Sequence, residues 1–478
     1  MDEALYRTFQ YARGYLLTSV PTPAPKPDWT SAEVAGLFLS YDRRLPFARA
    51  QALKHWGYKD SARATVVILG TVVDTTSWTD TPGKIATSAA RALARSESAL
   101  LDMIDGWSGR FLLIYRSEGN TKILTDACAL RSAYYSFRNG LSVSSHAPIV
   151  AERIGAGPSR LMAEAHKDPR WKGSEGRYAG HATPFESVWV LTPNTLLDVN
   201  EKRVRRFFPR EALSALSADH AAETVAPILR GTVETICARN KVVTSLTGGF
   251  DSRVTLAAAR QVARQIEFFT YVQPGESIHE GDFQAARSIA EAIGLRHRRL
   301  DLVPDTGDEW EAFQAALTHD VYTIHRRDAA WAYYKGFPHA DIHLRSNLGE
   351  IGRAFYRKNR PIIYPFDPSA MADVFKPRKM SDNTAVVKLF KRFYRDVEFS
   401  RIENYDPYDI LYWEQRMSSW HTSLVLQGDN TFETLVIFNN RNVLVPLLSV
   451  PVADRRASRA FIRTIEILWP ELLRWGFV

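Results

Sequence analysis

Between Val243 and Arg253 the chain reads VTSLTGGFDSR, and several residues there could act together on one anionic ligand. Thr247 and Ser252 bring hydroxyls that donate to phosphate oxygens. Gly248 and Gly249 let the backbone approach a ligand closely, and their freedom at φ > 0 suits a tight turn. Asp251 cannot meet phosphate directly, because like charges repel. A carboxylate beside phosphates is best explained by a shared Mg²⁺. A helix carrying Val254, Leu256, Ala257 and Ala258 starts at once, so its free N–H groups and positive dipole end face the same place. Together these residues describe a pyrophosphate cradle. A Gly-Gly turn followed by Asp-Ser also reads as a plain helix cap. The full string at the end of an apolar strand favours nucleotide binding. It lacks the GK[ST] ending, so it is not the usual P-loop.

The elements around this loop alternate. A helix over about 219–238 leads to the strand KVVTSL (241–246), then a helix (252–264), the strand EFFTYV (267–272), a helix (about 282–293) and a strand in RHRRLDL (296–302). Strands alternating with helices predict right-handed βαβ units and a parallel sheet. The chain from about 370 onward reads as helical. Upstream, from about Thr65 to Val199, strands dominate: ATVVILGTVVD (64–74), a hairpin from RFLLIYR (110–116) to TKILTD (121–126), then YYSF (134–137), LSVSS (141–145) and SVWVL (187–191). Helical spacing falls between them in SAARALARSESALLDMID (88–105). The expectation is a two-domain α/β and α+β chain, with a largely antiparallel part over 1–205 and a parallel-sheet part over 206–478.

Length and composition bound the class. The 478 residues, 45% hydrophobic and 24% charged, exclude wholesale disorder. A net charge of +8 is mild and compatible with an anionic ligand. Two cysteines, Cys128 and Cys237, give neither a disulfide framework nor a CxxC zinc site, which favours a reducing compartment. With no signal-peptide pattern and no run of membrane-spanning length, a cytoplasmic protein is expected. KLFKRFYR (388–395) spaces Lys388, Lys391, Arg392 and Arg395 along one helix face. That is either a solvated stripe or a surface for an acidic peptide, a carrier protein or RNA.

TGGFDS (247–252) resembles the SGGxDS loop of the PP-loop ATP pyrophosphatases, with Thr247 for the first serine. EFFTYVQPGES (267–277), Glu280, Asp282 and ARSIAEAIGLRHRRL (286–300) narrow the likeness to the asparagine synthetase B-like superfamily. DNTFETLVIFNNRNVLVPLLSVP (429–451), with Glu433, Phe438 and Arg441, resembles a further segment of that superfamily. DGWSGRFLLIYRSEGNTKILTDACALRSAYYSF (105–137) looks like the sheet of its glutaminase (Ntn) domain. The resemblance implies ATP and Mg²⁺, adenylation of a substrate carboxylate with release of pyrophosphate, and displacement of AMP by an amine. Residue 2 is Asp2 where the family's glutaminase domain carries its cysteine, so that domain is expected to be degenerate, as in β-lactam synthetases and lasso-peptide cyclases. The implied nucleotide-binding set is Thr247, Gly248, Gly249, Asp251 and Ser252, with backbone atoms around Phe269 to Tyr271 lining the adenine pocket.

The chain departs from that family at its second acidic loop. The corresponding stretch, RSNLGEIGRAFY (345–356), holds Glu350 as its one acid. Glu350, standing for the family's glutamate or its aspartate, is expected as the second Mg²⁺ ligand beside Asp251 and as a proton acceptor; if it fills neither place, that ligand comes from elsewhere. Arg353 is expected either to meet phosphate or a substrate carboxylate, or to be an ordinary surface arginine. The family lysine is missing, its slot held by Trp413, while Arg416 matches the family arginine; Arg353 or Lys358 would replace its charge. His297, at a family histidine position, reads as a packed residue. The expected activity is an amide ligase or cyclase for small-molecule or peptide carboxylates and amines, in specialised-metabolite or modified-peptide biosynthesis. Its competitors are an RNA-modifying PP-loop enzyme, against which the glutaminase-like half argues, and a nucleotide-binding scaffold without turnover. A homo-oligomer is compatible with the sequence, and no membrane partner is expected.

Overall fold

The computed structural model describes residues 2–53, 63–171, 178–317, 324–376 and 379–477. Its N-terminal part holds two six-stranded antiparallel sheets. One runs in the order Trp189–Val190, Tyr134–Ser136, Ser142–Ser144, Tyr15–Thr18, Leu37–Tyr41, Thr30–Val34. The other runs Arg203–Arg206, Thr195–Asp198, Asn120–Thr125, Trp107–Ser117, Arg63–Asp74, Phe47–Leu53. Strand alternation decides what each face meets. Val67 and Leu69 point into a core shared with Tyr15, Leu17 and Leu39 of the facing sheet. Val66 and Ile68 point the other way, onto Ile85, Ala89 and Leu93 of the helix Pro82–Arg95. The helix Ala147–Ile154 covers the outer face of the first sheet through Val150 and Tyr134. The result is a sandwich with helices outside both sheets. Sequence patterning missed its strands between Tyr15 and Leu53. It also merged into one helix what Ser96 divides into two, accepting a hydrogen bond from the Ala99 N–H at the cap of Glu97–Asp105.

The later part is built on a parallel sheet. Its strands are β1 (Val242–Ser245), β2 (Glu267–Val272), β3 (His297–Asp301), β4 (Ile342–Leu344) and β5 (Glu433–Leu435). Helix α1 (Phe250–Ala258) follows β1, α2 (Ser277–Ala292) follows β2, α3 (Ile324–Gly336) precedes β4, and α4 (Thr384–Asp396) lies between β4 and β5. The order is β3-β2-β1-β4-β5, every pair parallel. Helix α1 and the preceding helix Ala218–Cys237 pack on one face, through Val254, Leu256, Val225 and Leu229. Tyr333 of α3 packs on the other face, with Val243 and Phe269. The expected all-helical C-terminal region is interrupted: β5 completes the sheet, because Thr434 and Leu435 pair with His343 and Leu344. Residues 412–421 wind as a wide π-helical turn rather than an α-helix.

The two parts join through buried polar contacts. Arg110 clamps Asp429 with two bonds of 2.5 and 2.8 Å, and Arg206 clamps Glu414 at 2.6 and 2.8 Å. Arg131 donates to Glu433. The Trp413 indole N–H donates to the Ala127 carbonyl at 2.8 Å. Among the described residues, no helix is long and apolar enough to cross a membrane.

Candidate functional site

In a sheet ordered β3-β2-β1-β4-β5 the chain winds outward from β1 in one direction and from β4 in the other. The loops beyond these two neighbouring strands therefore diverge and leave a crevice at their carboxyl ends. Here a cleft of about 330 Å³ opens at that point. The β1 side supplies Thr247, Gly249, Phe250, Asp251 and Ser252; β2 supplies Thr270 and Tyr271; the loop after β4 supplies Arg345, Ser346, Asn347, Glu350 and Arg353.

The first loop is braced from within. The Thr247 N–H donates to Ser252 Oγ (3.2 Å), Ser252 Oγ donates to the Thr247 carbonyl (2.9 Å), and the Gly249 N–H reaches Thr247 Oγ1 (3.3 Å). Gly249 precedes α1 with no side-chain cap, so the first N–H groups of the helix stay available to a ligand. The freedom at φ > 0 that the glycines offer is not used: Gly249 has φ −80°, and neither it nor Gly248 is in the left-handed region. Hydroxyl bracing shapes the turn instead. The Gly248 N–H points to Asp282 of α2, 3.1 Å away.

The second loop carries the strain. Leu348 (φ 74°) and Ala354 (φ 52°) are held in the left-handed region on either side of the Gly349–Arg353 stretch. Such conformations cost energy in residues with a Cβ and persist where surrounding structure over-determines them. Gly349 is required for space, since a Cβ there would collide with the Asp251 carboxylate. In return the Gly349 N–H donates to Asp251 Oδ2 at 3.0 Å.

Asp251 is buried, and Arg353 lies 2.9 Å from its Oδ1 and 3.6 Å from Glu350. The three side chains therefore form one cluster of two carboxylates and one guanidinium. Burial pushes the Asp251 carboxyl up to about 8, the Glu350 charge adds to that, and Arg353 and the Gly349 N–H pull the other way. Once a cation displaces the Asp251 proton, the two carboxylates outweigh the one guanidinium, which suits a hard cation. Mg²⁺ commonly takes one or two carboxylates and completes its shell with water and substrate phosphates. Asp251 and Glu350 fit that pattern, and among the described residues no group of three or more acids, histidines and cysteines does.

Other expected residues lie elsewhere. The Phe269 ring is fully buried against Tyr333, Phe337 and His343 and does not line the cleft; its carbonyl is taken by the Leu246 N–H at 2.8 Å. Tyr271 does line it. His297 bonds Thr270 Oγ1 (2.9 Å) and stacks on Phe283, and burial holds its ring down at about 4. Lys358 is exposed and outside the cleft. Trp413 and Glu433 serve the join between the two parts, and Arg416 lies over the Trp420 ring at 4.2 Å. Burial raises both cysteine thiols, Cys237 to about 12, which suppresses thiolate chemistry at either. Asp2 caps the helix Glu3–Phe9 by accepting from the Ala4 N–H at 2.8 Å. Two basic residues of α4, Arg392 and Arg395, border a separate cavity of about 460 Å³, where Arg392 lies 3.7 Å over Trp189, while Lys388 and Lys391 lie outside it.

Sequence reasoning gave no role to Arg345, Ser346 and Asn347, although they open the RSNLGEIGRAFY stretch, and it read only the backbone around Thr270. The signal that could have found them was position, directly after or within strands flanking β1.

Residues 221–326 match the family model described as NAD synthase. That stretch spans the helix before β1, the TGGFDS loop and the strands to β3, and stops short of the second loop. The match supports the PP-loop superfamily and does not bear on the β-lactam synthetase branch. No curated protein matches. Similar solved structures include the glutamine phosphoribosylpyrophosphate amidotransferase from B. subtilis complexed with ADP and GMP, 11% identical, with a TM-score of 0.24 over 62% of this chain and 61% of that one. Another is the allosteric regulatory enzyme of purine biosynthesis, 11% identical, with a TM-score of 0.25 over 61% of this chain and 60% of that one. The chain thus spans about three fifths of the length of each, and at this level of similarity nothing about activity transfers.

Proposed function

We propose that this chain is an ATP-dependent synthetase that activates a carboxylate as its adenylate and lets an amine displace AMP, without using glutamine. The observation that carries the reading is the crevice between β1 and β4, where an anion-receptive loop faces the Asp251–Arg353–Glu350 cluster. The NAD synthase match over the same loop supports ATP use in general. Thr247, Ser252 and the free N–H groups opening α1 would receive the phosphates. Tyr271 and Thr270 would border the base. Mg²⁺, held by Asp251 and Glu350, would neutralise charge on the leaving pyrophosphate. Arg353 would shift from Asp251 toward the phosphates as that charge builds up. Glu350, the more exposed acid, would take the proton of the attacking amine. Most of the acceleration would come from alignment and fixed charge. An acidic peptide or carrier protein as partner is part of this proposal, resting on the basic face of α4.

The test is pyrophosphate–ATP exchange across a panel of carboxylic acids, with wild type beside Asp251→Ala. Exchange dependent on one acid and lost in the variant is expected. Exchange indifferent to that substitution would remove Asp251 from its role. A second reading has its own support, because protein donors already engage both Asp251 oxygens. ATP binding with no exchange for any acid would establish a nucleotide-binding scaffold instead. Strongly salt-dependent tRNA binding would point to the RNA-modifying alternative.

A further inference from the structure

Arg345 is a buried cation that the protein leaves uncompensated. It directly follows β4 and is 9% exposed. Its Nε donates to Asn347 Oδ1 at 2.6 Å and its Nη1 to Gln427 Oε1 at 3.4 Å, both neutral amides. Among the described residues its Nη2 donates to nothing in the protein, and Arg345 forms no ion pair. Among the other buried arginines, Arg110, Arg131, Arg206 and Arg455 each meet a carboxylate and Arg441 lies 3.8 Å from Asp105, whereas Arg416 shares the lack of an ion pair but lies over the Trp420 ring outside the cleft. Arg253 is also without a carboxylate, but backbone carbonyls of Leu472, Trp475 and Gly476 saturate it. Removing a guanidinium from water without a counter-charge is costly, and such a group is retained where something else supplies the charge.

Arg345 lines the cleft described above. Of the carboxylates lining the cleft, Asp251 and Glu350 are engaged by Arg353 and Asp282 accepts from the Gly248 N–H, and none forms an ion pair with Arg345. The backbone fixes its position: its N–H donates to the Leu435 carbonyl of β5 at 2.8 Å, and Ser346 Oγ reaches the Ser245 carbonyl at 3.4 Å, tying the ends of β4 and β1 together. Tyr271 and Thr270 border the cleft from β2, on the far side of β1 from Arg345.

We propose that Arg345 is an oxyanion seat of this cleft, distinct from the TGGFDS loop, that receives either the β- or γ-phosphate of the nucleotide or a carboxylate of the acid. The planar fork of a guanidinium binds both with paired hydrogen bonds. The inference rests on the synthetase reading for the identity of its ligands, and on the uncompensated charge for its existence.

Titration calorimetry on the full chain tests it with four probes: MgATP, AMP, inorganic pyrophosphate and glutarate. Arg345→Gln should weaken either pyrophosphate and ATP together, or glutarate, at least about tenfold, while AMP binds as before. Loss confined to the first pair assigns the seat to phosphate, and loss confined to glutarate assigns it to the acid. Arg345→Met should also raise Tm, because it removes a buried charge that meets no counter-charge; a merely structural arginine would lower it. The proposal is overturned if the Gln variant binds all four probes as wild type does, or if every affinity falls together with Tm. Should wild type bind no nucleotide, the synthetase reading fails, while the glutarate arm still decides Arg345. Wild type binding none of the four would overturn both.

Discussion

Asp251 is the residue on which the candidate chemistry turns, and Gly349 sets its geometry. A methyl group at Gly349 would occupy the space of the Asp251 carboxylate. Gly349→Ala should therefore displace that carboxylate and lower exchange activity at least about a hundredfold while the chain stays folded, given that misplacing a reacting group by about 1 Å can cost that much. Circular dichroism beside the exchange assay checks it, and an active, folded variant would show that the contact is dispensable. Ser252→Ala offers a milder probe. It removes the hydroxyl that holds Thr247 and Gly249 in place, so the apparent ATP affinity should fall several-fold with little change in Tm.

At the scale of elements, the loop after β4 stores conformational energy that can be relieved. Ala354 sits at φ 52° and buries only a methyl group, so Ala354→Gly should stabilise the chain by about 0.5–1 kcal/mol. A higher chemical-denaturation midpoint would confirm that the backbone is strained there, and a lower one would show that the methyl contact outweighs the strain. The clamp between Arg206 and Glu414 is a second element-scale feature, joining an edge strand of the sandwich to the π-helical turn. Glu414→Ala leaves a buried guanidinium without a counter-charge, held by the carbonyls of Phe208, Val397 and Glu398 alone, so it should cost about 3–5 kcal/mol; Arg206→Met with Glu414→Leu should cost much less. Equilibrium unfolding of the single and double variants separates the two, and equal losses would refute the reading.

For the whole molecule, buried charge makes stability depend on pH. Asp409 is fully buried with Arg455 2.6 Å away, and burial still pushes its carboxyl up to about 6. An unfolded aspartate titrates near 3.9, so between these values the folded chain holds a proton that the unfolded chain has released. This group's contribution is complete below about pH 4 and is lost as pH rises through 6, by about 2–3 kcal/mol. Asp409→Asn lacks that titration. The stability gap between wild type and Asp409→Asn should narrow by that amount from pH 4 to 7, and a gap independent of pH would show that Asp409 is ionised throughout.

The sequence by itself determined what short-range physics controls. Hydrophobic periodicity marked the βαβ rhythm, and the string VTSLTGGFDSR placed hydroxyls, glycines and an acid at the end of one strand, because a loop between a strand and a helix brings its own residues together whatever surrounds it. Only the tertiary structure decided the rest. The order β3-β2-β1-β4-β5 puts Glu350 and Arg353, about a hundred residues further along, against Asp251. It also converts ETL (433–435) into the fifth strand, sends the Phe269 side chain into the core while Tyr271 borders the cleft, and leaves Arg345 facing the crevice without a counter-charge. Those outcomes depend on which strands become neighbours and on burial, which pairings distant in the chain settle together.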